Sequence, residues 1–433
     1  WNEGVEVGGE LGPYRQSERL PIYEHHTAHI LAMGKAYYCF CTPETLEAQR
    51  QASLAAGLPP KYPGACRHLA SDEVERRRAA GEPAAVRLRV PAGRDVTFTD
   101  VVRGPVSFHT DVIGDPVLVR SDGIPAYNYA VVIDDALMKV THVIRGEDHI
   151  SNTPRQILLY EAFGWTPPAF AHLSLVMGPD HAPLSKRHGA TSVAEFKAKG
   201  YLPEALFNYL ALIGWSPGQN EELLPADELA RRFRLESVAH SAGVFDEGKL
   251  AWANRHYLKL ADPERLATLA VPFLSERGQV VGEVSAEGNL WLRNVLPGLA
   301  SAIDRLPQLP DRLETVFQFD AARTLAREEV AGELQDGAAR AVVRSLASDL
   351  STAPRLVDRE TFRAAAARVK DATGQKGRAL FHPIRLALTG APEGPELDLL
   401  VPAIDRGVEL GPPHGLAPIV GCRERAAALA ALL

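Results

Sequence analysis

Thr141-His142-Val143-Ile144-Arg145-Gly146-Glu147-Asp148-His149 sets an apolar, β-branched run against a polar end that carries an arginine, two carboxylates and a histidine. The run predicts a short buried strand over 141–145 that stops at Gly146. Downstream, Thr153 as N-cap and Pro154 at the first helical position open a predicted helix through Leu158, Leu159 and Tyr160, ending near Gly164. A second predicted strand runs from Ala171 to Met177. Strand, helix and strand in this order predict a right-handed parallel crossover. Ligands of such sheets bind beyond the carboxyl ends of the strands.

The second strand feeds into Gly178-Pro179-Asp180-His181-Ala182-Pro183-Leu184-Ser185-Lys186-Arg187-His188-Gly189. Glycines bracket this loop, and a hydroxyl sits beside two adjacent cations. Such a loop can bring an ammonium onto phosphate oxygens whose charge grows during reaction. Taken alone it also suits a solvated basic turn. Arg145, Asp148 and Ser185-Lys186-Arg187 all fall at strand carboxyl ends, and that convergence favours the phosphate-facing reading. The chain has no Gly-x-x-x-x-Gly-Lys-Ser/Thr and no Gly-x-Gly-x-x-Gly, which disfavours P-loop and dinucleotide folds.

Upstream, Val86–Val90, Val96–Thr99, Val106–Phe108 and Val117–Val119 alternate between Gly, Pro and Asp turns and predict a small antiparallel sheet. Ahead of them lie Cys39 and Cys41, then Cys66 and His68, spaced Cys-x-Cys, 24 residues, Cys-x-His. Zinc takes four ligands in a tetrahedron, usually as two close pairs on separate turns, and these pairs fit that plan. Three ordinary buried thiols are the alternative. A helix over 20–33 carries His25, His26 and His29; with no third ligand at matching spacing, this reads as a surface face. Thr42 and Pro43 mark the start of another helix.

Beyond Arg187 the pattern is helical: Val193 to Lys199, Pro203 to Ile213, Pro225 to Phe233, Phe245 to Leu250, Trp252 to Leu260, Ala326 to Leu350, Arg359 to Lys370 and Arg378 to Leu388. This half offers no catalytic constellation. Lys370, Lys376, Arg378 and Arg385 suit a phosphate-facing surface or a solvated helix face equally well. At 433 residues the chain exceeds what one core serves, and 46% hydrophobic with 23% charged residues describes a globular protein. No apolar run is long enough to span a membrane, and the first residues have no signal-peptide character. Four cysteines do not make a disulfide scaffold, so a cytoplasmic location is expected. A net charge of −7 excludes a globally basic nucleic-acid coat but leaves room for local basic patches.

Together, Gly12-Pro13-Tyr14-Arg15-Gln16-Ser17-Glu18-Arg19, Tyr127 to Asp135, Val143 to His149, Leu184 to Gly189 and Lys370 to Gly390 resemble bacterial glutamyl-tRNA synthetases, a class I aminoacyl-tRNA synthetase family. The resemblance covers essentially the whole chain. It implies an α/β and α fold: a partial Rossmann-type parallel sheet with an inserted α+β acceptor-arm and zinc module, then a helical stem-contact region and an all-α anticodon-binding region. The expected limits are 1–35 for the remnant of the first Rossmann half, 36–125 for the insert and 126–187 for the second half. The stem-contact region is expected over 188–260 and the anticodon region over 261–433.

The activity implied is ATP-dependent formation of glutamyl-adenylate from L-glutamate, then transfer to the 3′ end of tRNA(Glu), by a monomer and with Mg²⁺ accompanying ATP. By the same resemblance Lys186 faces the ATP phosphates, with Ser185 and Arg187 beside it in the second signature. Arg145 and Tyr127 contact glutamate, and Asp148 lies near the ATP ribose. Cys39, Cys41 and Cys66 hold a structural zinc, with His68 or Tyr62 as fourth ligand.

Two departures stand out. Pro183 replaces the first lysine of the second signature, removing a cation and stiffening the loop. The first signature, His-x-Gly-His, is absent; His26-Thr27-Ala28-His29 lacks its glycine and follows the Arg15-to-Arg19 stretch instead of preceding it. The chain therefore reads as N-terminally truncated and is expected not to activate glutamate alone. A non-catalytic tRNA-binding paralog is the alternative from another class. Glutaminyl-tRNA synthetase fits less well, because its anticodon module is expected to be a β-barrel.

Overall fold

The computed structural model describes residues 2–57, 61–218 and 221–433. The chain forms two units, Trp1–Leu184 with Ile213–Asn220 and Arg231–Phe245, and Ser185–Leu212 with Glu221–Ala230 and Asp246–Leu433.

In the first unit, α1 (Leu20–Ala32) leads into β1 (Ala36–Cys39) and α2 (Pro43–Ala55), whose N-cap Thr42 accepts from the Thr45 amide as its sequence predicts. Then come α3 (Ser71–Ala79), β2 (Ala85–Leu88), β3 (Asp95–Asp100), β4 (Gly104–His109), the single turn α4 (Thr110–Ile113) and β5 (Val117–Val119). The sequence predicts one antiparallel sheet here, and the structure has two. β1, β2 and β5 form one, while β3 and β4 form a separate hairpin. The hairpin is held elsewhere: the Val101 amide donates to Phe170 O at 2.8 Å and the His172 amide to the Asp100 carboxylate at 3.1 Å.

The crossover is as expected. β6 (His142–Gly146) and β7 (Ala169–Leu173) run parallel, with Arg145 opposite His172. Preceding them, α5 (Tyr127–Leu137) buries Tyr129, Ala130, Val132 and Ile133, the i, i+3, i+4 face of an amphipathic helix. Between the strands lies α6 (Thr153–Phe163), closed by Gly164 at φ 71°. Three details differ from expectation. The second strand spans Ala169–Leu173, where Ala171–Met177 is predicted. β6 is only partly buried, with Ile144 51% exposed, because among the described residues only β7 pairs with it. Thr153 does not cap α6. Its hydroxyl is within hydrogen-bond reach of Arg145 and His172 instead, and Asn152 occupies the cap position.

Arg19, 2% exposed, ties the early segment to α5: its Nε donates to Asp134 at 2.6 Å and its Nη1 to Pro13 O at 2.8 Å. Tyr23 donates to the other Asp134 oxygen at 2.7 Å, so the buried arginine faces a carboxylate that is itself held in place.

The second unit is helical, as its sequence predicts. It includes α7 (Val193–Ala198), α8 (Pro203–Ala211) and α10 (Glu247–Leu260), with α9 (Ala226–Arg232) between them in the chain. The expected break at 251 and the expected single helix over 326–350 both need correction. Residues 247–260 form one helix because Asp246 caps it and no Gly or Pro interrupts positions 249–260. Residues 326–350 split into two helices at Asp336-Gly337, where Asp336 caps the second. One continuous apolar core runs from Leu202 to Leu429, with Trp291, Leu346, Phe362 and Leu388 among its members.

Candidate active site and metal centre

At the carboxyl end of β6, Arg145 is half-buried and held on one edge. Its Nε donates to His172 Nε2 at 3.1 Å, and its Nη2 to Thr153 Oγ1 at 2.8 Å and Gln156 Oε1 at 2.9 Å. Among the described residues nothing accepts from Nη1, so this nitrogen is the donor left for a ligand. The chain of partners continues outward: Gln156 Nε2 donates to Asn128 Oδ1 at 2.9 Å, next to Tyr127, whose exposed ring lies 5.9 Å from that of His149. Asp148 is exposed. Gly146 permits its position, since a Cβ there would lie 2.4 Å from Asp148 Oδ1. Arg145, Tyr127 and Asp148 therefore share one end of the crossover, as their sequence positions predict.

The neighbourhood contains groups that the sequence reading did not single out. Glu147 pairs with Arg103 at 2.5 Å and accepts the Leu175 amide at 3.2 Å. Asp135 is pushed up to about 6 by burial and by adjacent Asp134, with Arg145 acting in the opposite sense. His172 and Asp100 are buried together, 2.6 Å apart. The only signal of this pair in the sequence is a polar residue inside each predicted or flanking strand, which is a weak one.

The basic loop divides between the units. In the first, Gly178 to Leu184 forms a tight hairpin, with Gly178 N donating to Ala182 O at 2.8 Å and Leu184 N to Val176 O at 2.9 Å. Pro183 lies opposite Met177 between these two bonds. Such a non-hydrogen-bonded position asks no donor of its N–H, so proline fits without breaking the ladder. In the second unit, Lys186–His188 is a 3-10 turn capped by Ser185, whose amide donates to His188 Nδ1 at 3.1 Å. Arg187 Nε lies 3.1 Å from His188 Nε2, and Lys186 is exposed.

The cysteines meet. Sγ atoms of Cys39, Cys41 and Cys66 all lie within 4.8 Å of one another, Cys41 and Cys66 at 3.6 Å. A tetrahedral zinc with Zn–S of about 2.3 Å requires S···S of about 3.8 Å, so the three thiols fit it. Tyr62 Oη sits 3.4 Å from Cys39 Sγ and 3.5 Å from Cys41 Sγ, while His68 is exposed and outside the cluster. The Arg87 guanidinium stacks 3.9 Å over the Tyr62 ring. Burial pushes the Cys39 thiol up, but Tyr62, the Cys41 amide and Arg87 together hold it below its ordinary value. Burial raises Cys41 to about 11.

His26 and His29 pack on Phe163, and His26 also on Trp165; neither belongs to a ligand cluster among the described residues. In the second unit a groove of ≈ 680 Å³ is lined by Arg363, Lys370, Lys376 and Arg385, with Glu396 and Asp398 and several apolar residues beside them. Arg385 is half-buried there, with Nη2 on Pro395 O at 3.0 Å.

Comparison with known proteins places the whole chain in a family. Residues 3–252 match the catalytic domain of tRNA synthetases class I (E and Q), and residues 265–407 match an anticodon binding domain. The glutamate–tRNA ligase of Carboxydothermus hydrogenoformans is 45% identical over 397 residues, 92% of this chain and 82% of that protein. That of Geobacillus stearothermophilus is 43% identical over 410 residues, 93% and 82% of the two chains. Among solved structures, a glutamate tRNA ligase of Elizabethkingia meningosepticum in complex with its amino acid superposes with a TM-score of 0.79 at 29% identity, covering 100% of this chain and 86% of that one. The chain belongs to the class I tRNA synthetases of the glutamate and glutamine type.

Proposed function

We infer that the protein is a glutamate–tRNA ligase, which joins L-glutamate to tRNA at the expense of ATP. The observation that carries this is the match of both a catalytic and an anticodon-binding domain, together with the similarity to glutamate–tRNA ligases such as those of Carboxydothermus hydrogenoformans and Geobacillus stearothermophilus over more than nine-tenths of the chain. Class I chemistry needs no covalent enzyme intermediate, so the protein contributes positioning and charge stabilisation at the α-phosphate.

In this reading Arg145 holds a carboxylate of glutamate through Nη1, its other edge being engaged by His172, Thr153 and Gln156. The Tyr127 ring flanks the amino acid, and Asp148 accepts from the ribose hydroxyls of ATP. Lys186 donates to the ATP phosphates, and Ser185 and Arg187 shape the turn that presents it. Mg²⁺ accompanies ATP and neutralises phosphate charge. Cys39, Cys41 and Cys66 hold a structural zinc that cross-links the two turns of the insert, and the closeness of its hydroxyl supports Tyr62 over His68 as fourth ligand.

Aminoacylation with purified tRNA(Glu) and tRNA(Gln), each with glutamate and with glutamine, tests the assignment. Charging of tRNA(Glu) with glutamate is expected, and charging by glutamine instead would overturn it.

A further inference from the structure

Arg145 does not choose its own orientation. Its Nε–H needs an acceptor, and the atom it meets is His172 Nε2 at 3.1 Å. A neutral imidazole can accept at Nε2 only if its proton is on Nδ1. Nδ1 lies 2.6 Å from Asp100 Oδ2, and both side chains are wholly excluded from solvent. Asp100 is in turn immobilised, because Oδ1 accepts the amides of Val102 at 3.0 Å and Arg103 at 2.9 Å, and the His172 amide lies 3.1 Å from each carboxylate oxygen. The three groups belong to different elements: Asp100 ends β3 of the inserted hairpin, His172 lies on β7 and Arg145 on β6. Arg103, following Asp100, clasps the same strand ends through His172 O at 3.2 Å and Glu147.

We propose that Asp100 and His172 are positioning residues for the reaction: Asp100 fixes the Nδ1–H tautomer of His172, and His172 thereby fixes the guanidinium of Arg145 in the pose that receives glutamate. The inserted hairpin thus sets the amino-acid site from outside the crossover. The proposal rests on the reading of Arg145 as a carboxylate ligand. Its chemistry makes a specific demand. In Asp100→Asn the amide oxygen is retained by the Val102 and Arg103 N–H groups, which bond Oδ1 alone, so the new NH₂ faces His172 Nδ1. The histidine must then carry its proton on Nε2, between the Arg145 Nε–H and the Thr153 hydroxyl, which at 3.1 Å can no longer donate to that nitrogen. Donor meets donor, and the arginine is displaced without any change in side-chain volume.

The test uses the full-length protein, assayed by ATP–pyrophosphate exchange with tRNA present. Asp100→Asn is expected to raise KM for glutamate by roughly 10- to 100-fold, the usual size of effect when a group orienting a ligand-binding residue is lost. KM for ATP is expected to stay unchanged. Long-range ¹H–¹⁵N NMR of histidine-labelled protein should show His172 moving from the Nδ1–H to the Nε2–H form. An unchanged tautomer, or equal losses in the glutamate and ATP constants, overturns the proposal. Should Asp100→Asn fold poorly, His172→Gln and His172→Leu replace it: Gln still offers an acceptor to Arg145 and is expected to keep a lower glutamate KM than Leu, whereas equal KM values for the two overturn the proposal. Arg145→Gln separates the two levels of argument. If it leaves KM for glutamate untouched, Arg145 is not the carboxylate ligand. If it raises KM while Asp100→Asn does not, only the positioning role fails.

Discussion

Lys186 and Pro183 lie three residues apart and do opposite things to the loop. Lys186 is exposed at the head of a 3-10 turn, where a single ammonium can reach phosphate oxygens. Lys186→Ala should lower ATP–pyrophosphate exchange on the order of 10²- to 10³-fold, the size seen when one donor to a developing charge is removed. Pro183 occupies a hairpin position that needs no N–H. Pro183→Lys should therefore fold normally and change exchange modestly; a large gain would show that the missing cation, and not the geometry, limits the loop. Asp135 offers a titration test. Because its folded value is pushed up from 3.8 to about 6, the folded state binds that proton more tightly. The stability it contributes is full below about 3.8 and is lost as pH rises through about 6. Asp135→Asn should flatten the dependence of denaturant stability on pH between these values, as measured by urea titrations.

Elements meet through buried polar clips. The last helix, Cys422–Ala430, carries Arg425, which is wholly buried. Its guanidinium donates to Val420 O at 2.6 Å, Thr315 O at 2.6 Å, Leu388 O at 2.9 Å and Val316 O at 2.5 Å. Thr315, Val316 and Leu388 lie at the ends of helices Leu309–Phe317 and Arg378–Thr389, where carbonyls lack intrahelical partners. One cation thus satisfies three elements. Arg425→Met keeps the volume but orphans these carbonyls, and should destabilise the protein by about 3 kcal/mol or more, read from chemical denaturation. The three-thiol cluster, proposed above to hold zinc, is a clip of another kind. Cys66→Ser and Tyr62→Phe should both lower zinc content in metal analysis of the purified protein, whereas His68→Ala should leave it intact.

Over the whole molecule, a net charge of −7 coexists with a local basic groove around Lys370, Lys376 and Arg385. If that groove takes part in holding tRNA, Lys376→Ala should raise KM for tRNA while leaving KM for glutamate and ATP unchanged, and the wild-type affinity should fall steeply with salt. A raised glutamate constant in that variant would argue against the assignment.

How much was legible in the sequence depended on the range of the interaction. Local rules sufficed for the crossover 142–173, for the cap at Thr42 and for the cysteine spacing, since each is decided by residues a few positions apart. The same rules misread Thr153, whose hydroxyl serves Arg145 and His172 instead of a helix end. They also merged two sheets, because the end of β3 finds its partner seventy-odd residues away on β7. Composition, periodicity and motif order were enough to determine the class of fold, the family and the residue types available for chemistry. Only the tertiary structure decided that Tyr62, and not His68, approaches the three thiols, and that Asp100 stands behind His172 and Arg145. Those pairings join positions far apart in the chain in buried or half-buried surroundings, where a polar group must find a partner and only the packed fold can say which one it finds.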